Sequence, residues 1–227
     1  ATPVATVEYS PGPDVTEGRL AYNGDDMLID FVNLEPVLEL VPAASLIVNG
    51  TNADNAINYS DSGGNGLVSV DAFETIEFSN KTVLVLNGLA GDDTITGSLD
   101  VVDSLFGGDG NDVINGLNAA NRIDGGNGHD VINGGLGNDT LLGDDGNDAI
   151  NAGGGNDSVH GGDGHDTLEG SVGNDTIFGR DGSDQIDGGA GDDSLSGDGG
   201  ADTILGGSGN DVIQGGDRKS TRLNSSH

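Results

Sequence analysis
A nine-residue unit runs twelve times without a gap from Gly107 to Gln214, and so occupies 108 of the chain's 227 residues. The consensus is Gly-Gly-x-Gly-x-Asp-x-U-x, where U is a large aliphatic residue; Gly107–Asn115, Gly125–Asn133 and Gly206–Gln214 are clean copies. Position eight is aliphatic in every copy: Ile114, Ile123, Ile132, Leu141, Ile150, Val159, Leu168, Ile177, Ile186, Leu195, Ile204 and Ile213. A unit this short cannot bury its own apolar residue. Stacked copies can, by pointing position eight into a shared interior.

The x-U-x triplet reads as a minimal strand, with U inward and its neighbours outward. The glycines permit positive φ in the turns. Two units then make one coil: strand, turn, strand, turn. Repeats two apart, eighteen residues, lie above one another, and the turns fall on two opposite edges. Position six is Asp in all copies but one, where Asn121 stands. One edge therefore carries Asp112, Asp130, Asp148, Asp166, Asp184 and Asp202. The other carries Asn121, Asp139, Asp157, Asp175, Asp193 and Asp211.

Composition agrees with turns rather than helices. Of 39 acidic residues 32 are Asp and 7 Glu, against 7 basic residues, for a net charge of −32. Asp suits turns. Such acidity argues against nucleic acid or an anionic membrane as a direct partner. No run of about 18 apolar residues marks a membrane span. There is no cysteine, hence no disulfide. No zinc-protease motif, nucleophile elbow or Walker A loop occurs. His129 and His165 stand at position five, where a variable turn residue is expected, and His160 at position nine, on the outer face.

The repeat resembles the RTX, or haemolysin-type, calcium-binding nonapeptide. The resemblance implies an all-β chain, a right-handed parallel β-roll held by stacked Ca²⁺ ions. It makes Asp112, Asp130, Asp139, Asp148, Asp157, Asp166, Asp175, Asp184, Asp193, Asp202 and Asp211 the candidate carboxylate ligands, with turn carbonyls supplying the rest. Ca²⁺ takes six to eight oxygens. Ten pairs of repeats lie two apart, so ten sites is the upper bound, and the degenerate copy Gly116–Asp124 weakens any site that uses it. The aliphatic column is small against the entropy of ordering a glycine-rich backbone, and stacked carboxylates repel one another. The expectation is a chain that is disordered without calcium and folds on binding it.

Upstream, residues 1–19 read as a linker and 20–87 as a β-rich region. Strands are expected at Met27–Val32, Ser45–Val48, Ala56–Tyr59, Leu67–Val70, Thr75–Phe78 and Thr82–Leu86, as calcium-poor, β-helical rungs or, alternatively, a small β-sandwich. Gly50–Asn58 echoes the repeat, with Asn55 at position six and Ile57 at position eight. Residues 88–106 hold two outlying repeats, with Asp93 and Asp103 at position six and Gly97 breaking the frame between them. Residues 107–216 are the roll. Residues 217–227 resemble the translation of a sequencing-library adapter and are set aside; without them the chain has 38 acids, 4 bases and a net charge of −34.

The family likeness implies secretion by type I machinery through a C-terminal signal outside this sequence, with folding outside the cell where calcium is abundant. The parent is then a larger secreted or surface protein with an unidentified cell-surface or carbohydrate partner. The alternatives are the export module of a secreted hydrolase or epimerase and the stalk of a calcium-stiffened adhesin.

Overall fold
Position eight turns inward. Ile114, Ile123, Ile132, Leu141, Ile150, Val159, Leu168, Ile177, Ile186, Leu195 and Ile204 are buried, and Ile213 packs half-buried against them. The flanking residues stay outside, so Val113–Asn115 reads exposed, buried, half-buried. This is the alternation expected of a strand with one face on a core. The computed structural model describes residues 45–50, 52–62, 65–70, 74–78, 83–99, 102–216 and 221–223, with the strands Thr6–Val7, Arg19–Asn23 and Asp26–Asp30. The remainder of the linker expected at 1–19 lies outside the described residues.

Every second strand pairs, parallel and eighteen residues on. In the first sheet Val102–Asp109, Arg122–Asn127, Thr140–Asp145, Ser158–Gly164 and Thr176–Gly182 follow one another. In the second sheet the order is Thr94–Thr96, Val113–Asn115, Val131–Leu136, Ala149–Gly154, Thr167–Glu169, Gln185–Asp187 and Thr203–Leu205. Register sets like on like: Ile114 beside Ile132, Leu141 beside Val159. The two sheets face each other across the aliphatic column, forming a parallel β-solenoid. Among the described residues no helix is present, and none could cross a membrane.

The roll does not begin at Gly107. Ser45–Asn49 pairs parallel with Val83–Ala90, which pairs parallel with Val102–Asp109. Ala56–Ser62 pairs parallel with Thr94–Thr96, setting Ile57 beside Ile95. Val48, Ile57, Leu84, Leu86, Ile95 and Leu105 continue the buried column. The frame break at Gly97 makes this step nineteen residues, so Val83 stands beside Val102. Rungs do not account for everything upstream. Asn65–Val70 and Glu74–Phe78 extend the second sheet as antiparallel strands. Downstream, Thr221–Leu223 pairs with Thr203–Leu205 and puts Arg222 in register with Ile204, where the repeat calls for an aliphatic residue.

Candidate metal centre
The position-six side chains are buried along both edges, where eighteen-residue spacing places them, with Asp211 at the end half-buried. Each uses one carboxylate oxygen as a clamp. Asp130 Oδ1 accepts from the backbone N–H of Asp112 at 2.8 Å, Asp148 Oδ1 from Asp130 at 2.8 Å, and Asp166 Oδ1 from Asp148 at 2.9 Å. The ladder continues through Asp184 and Asp202. On the other edge it climbs from Asp139 through Asp157, Asp175 and Asp193 to Asp211. All eleven Asp residues expected from the sequence sit in these two columns.

The second oxygen is different. Oδ2 of Asp112, Asp130, Asp139, Asp148, Asp157, Asp166, Asp175, Asp184, Asp193 and Asp211 is buried without a hydrogen-bond partner. A buried carboxylate oxygen left without a partner is costly, and here the cost recurs at ten of the twelve turns between Gly107 and Gln214. The surroundings are other oxygens. A Cβ built on Gly143 would collide with both Asp148 Oδ2 and the Gly161 carbonyl. Glycine at position one thus leaves a gap that a carboxylate oxygen and a carbonyl of the next coil both border. Gly128, with φ at 140°, lies so close over the Gly110 carbonyl that no side chain fits.

Asn121 shows what the site looks like without that vacant valence. Its Oδ1 accepts from the Asp103 N–H at 3.2 Å, and its Nδ2 donates to the Gly116 carbonyl at 3.0 Å. The amide satisfies locally what a carboxylate leaves open. Asp103 is also satisfied locally, by the N–H and hydroxyl of Ser98.

Burial raises these carboxyls above the ordinary range. Desolvation lifts Asp130, Asp139, Asp175 and Asp184 to about 6 and Asp148 to about 7, against the lowering effect of the backbone N–H each accepts from. Neighbouring carboxylates add to the rise. Asp112, Asp157, Asp166 and Asp193 shift the same way, burial again leading.

Among the described residues, no three His, Asp or Glu side chains converge as a metal-binding group. Any ion held here must take most of its oxygens from backbone. Orphaned carboxylate oxygens beside glycine carbonyls suit a hard cation with many oxygen ligands, and calcium is such a cation.

A second ladder lies beside the first, and the sequence reading missed it. Position five accepts from the following coil. Asn111 Oδ1 takes the His129 N–H at 2.9 Å, His129 Nδ1 the Asn147 N–H at 2.8 Å, and Asn147 Oδ1 the His165 N–H at 2.7 Å. Asn138, Asn156, Asn174 and Asp192 do likewise on the other edge. The signal was available: ten of the twelve position-five residues are Asn, Asp, His or Ser, all side-chain acceptors. His160 lies outside the site, stacked on Phe178 with ring centroids 5.0 Å apart.

The comparison with curated proteins returned no match. The comparison with family models did: the model for the RTX calcium-binding nonapeptide repeat matches residues 85–101, 102–132, 124–159, 160–195 and 196–217. These matches span more than half of the chain, which belongs to the family of RTX calcium-binding nonapeptide repeats.

Proposed function
We propose that the roll folds as it binds calcium, outside the cell, as part of a larger secreted or surface protein. The observation that carries this reading is the row of buried Oδ2 atoms without partners. A metal-free roll holds these carboxylates against burial and mutual repulsion. Calcium, when bound, supplies the positive charge and oxygen coordination that the protein does not provide internally. The protein's own part is to hold each Oδ1 on the preceding coil and keep turn carbonyls close by.

The candidate ligands are the eleven position-six Asp residues, Asp112 to Asp211. Successive carboxylates on one edge bound five gaps, from Asp112 to Asp202. The other edge has four, from Asp139 to Asp211, because Asn121 is already satisfied. The reading is therefore nine ions, one fewer than the spacing alone allows. Affinities of about 10⁻⁴–10⁻³ M, typical of extracellular calcium modules, would keep the chain unfolded inside a cell and folded outside. Export through type I secretion machinery fits such a switch.

The parent protein is read as long and repetitive, with a cell-surface or carbohydrate partner still to be identified. Continuity of the aliphatic column from Val48 to Ile204 supports this over a roll appended to an unrelated enzyme domain. The test is circular dichroism of the full chain in chelator and in millimolar calcium, with calorimetric counting of bound ions. The reading expects β-structure only with calcium, and about nine ions. Equal β content in both conditions would sink it.

A further inference from the structure
The two outer faces of the roll differ in charge, although the consensus repeat makes them equivalent. Four successive strands of the second sheet, Thr94–Thr96, Val113–Asn115, Val131–Leu136 and Ala149–Gly154, carry no charged residue. Every strand of the first sheet from Val102–Asp109 to Thr176–Gly182 carries at least one. In a chain of net charge −32, an uncharged face this long stands apart. It presents Val113, Val131 and Leu136, which are 38 %, 42 % and 58 % exposed. Beside them runs a column of asparagines in which Asn133 Nδ2 donates to Asn115 Oδ1 at 3.0 Å.

We propose that this face is where a second copy of the chain docks. Charge selects that occupant and that face. Two copies meeting through their first sheets would set carboxylates against carboxylates, at a cost that like-charge contacts carry into any interface. Through their second sheets they meet with valine, alanine, threonine and asparagine. A closed pair has a twofold axis and a self-complementary patch. With that axis along the strands and midway between Val113 and Val131, each Val113 faces the other copy's Val131, and Asn115 faces Asn133. Asparagine both donates and accepts, so like columns can pair. Two charged residues fall on the strands that flank the uncharged four, Asp61 and Glu169; Glu169 then meets Asn58 of the other copy rather than a second carboxylate.

Size supports a reversible pair. The six strands from Ala56–Ser62 to Thr167–Glu169, at about 3.3 Å per residue and about 4.8 Å apart, offer about 440 Å² per copy. The total of roughly 900 Å² lies below that of a stable interface and in the range of weak, transient pairs. Pairing rests on the calcium-folding reading in one respect: nine bound ions bring the net charge from −32 to −14 and weaken the repulsion between copies.

The experiment is sedimentation equilibrium on the full chain at tens of micromolar, in calcium and in chelator, with circular dichroism on the same samples. The expected result is a folded monomer–dimer equilibrium in calcium. Val131→Asp should weaken it at least tenfold. Thr140→Asp, on the outer face of the first sheet, should leave it unchanged. A folded, calcium-loaded chain that stays monomeric overturns the pairing and leaves calcium folding intact. Undiminished pairing by a folded Val131→Asp variant overturns it equally. Absence of β-structure in calcium counts against the folding reading, and pairing falls with it.

Discussion

Replacing Asp148 with Asn should change stability in opposite directions with and without calcium. Asp148 holds the preceding coil through Oδ1, which accepts from the Asp130 N–H at 2.8 Å, and leaves Oδ2 buried without a partner. Asn121 provides the geometry of the substitution: the same clamp is kept, and Nδ2 reaches a position-one carbonyl. In Asp148→Asn that carbonyl is Gly143. Without calcium the change removes a buried, partnerless, partly ionised oxygen, and should stabilise the roll by about 1–3 kcal/mol. With calcium it removes a ligand that borders two gaps. At free calcium of 10–100 times Kd, each occupied site contributes about 1.4–2.7 kcal/mol. Loss of both gaps costs roughly 3–5 kcal/mol, which outweighs the gain. The assay is urea unfolding followed by circular dichroism, in saturating calcium and in chelator with enough osmolyte to populate the fold. Calorimetry should count up to two fewer ions. Equal destabilisation in both conditions would refute the reasoning, because the carboxylate would then act through packing rather than as a metal ligand.

The pH response follows from the raised carboxyls. A group whose pKa is higher in the fold than in the unfolded chain stabilises below its unfolded value, and that stability is lost as pH rises through its folded value. For Asp130, Asp139, Asp175 and Asp184 at about 6, and Asp148 at about 7, the calcium-free roll should be most stable below about pH 4 and lose stability through pH 6–7. A dichroism titration in chelator showing more β-structure at alkaline than at acidic pH would contradict this. Ile150→Ala should cost about 2–5 kcal/mol in calcium, since Ile150 is buried in the aliphatic column and its loss opens a cavity; a loss under 1 kcal/mol in urea melts would argue against a packed interior. Leu89 holds φ at 86° and is 44 % exposed, so Leu89→Gly should stabilise by about 1 kcal/mol and raise Tm by about 2–4 °C; a lower Tm in scanning fluorimetry would show that its contacts outweigh the strain. Resequencing the source locus should replace the Asp217–His227 string, and finding that string encoded there would end its reading as adapter-derived.

How much of this was legible in the sequence depended on what the repeat holds constant. Position eight keeps its chemistry in every copy, so the aliphatic column could be written down residue by residue. The two columns of Asp followed from spacing, because a coil of two units fixes which repeats stack. Position five keeps a function while changing its residue: Asn111, His129, Asn147, His165 and Ser183 share only an acceptor atom. Reading by identity made it look variable. The non-glycine residues of positive φ were similarly hidden. Leu89, Leu117, Asp144, Ser171, Arg180 and Asp198 all stand at position two, where the consensus glycine marks a left-handed turn that other residues also enter here. Upstream of Gly88 the period fails. Strand propensity survived there, but pairing did not follow from it, since the antiparallel partnership of Asn65–Val70 with Ala56–Ser62 depends on a turn and not on a repeat.

The two edge ladders bear on why the unit is nine residues with adjacent polar positions rather than one. Position five accepts from the coil that follows, and position six from the coil that precedes. Asn147 takes the His165 N–H while its neighbour Asp148 takes the Asp130 N–H. Each turn therefore grips both neighbours through two consecutive side chains, in addition to the strand pairing. In a solenoid, stability is set by the coupling between neighbouring repeats, and this arrangement puts a coupling on either side of every intact turn. It also places the seams. Ala120 and Ala201 have no acceptor at position five, and at the first of them Asn121 has exchanged its metal-facing oxygen for a bond to Gly116. The coil around Gly116–Asp124 is thus held to the next by fewer side-chain ties and needs no ion of its own. It stands between the upstream rungs, whose core is the wider set of Val48, Leu84 and Leu86, and the carboxylate-lined coils that follow. Loss of calcium should release the coils beyond Asp139 more readily than those before Asn121, because only the former depend on the ion to offset buried charge on both edges.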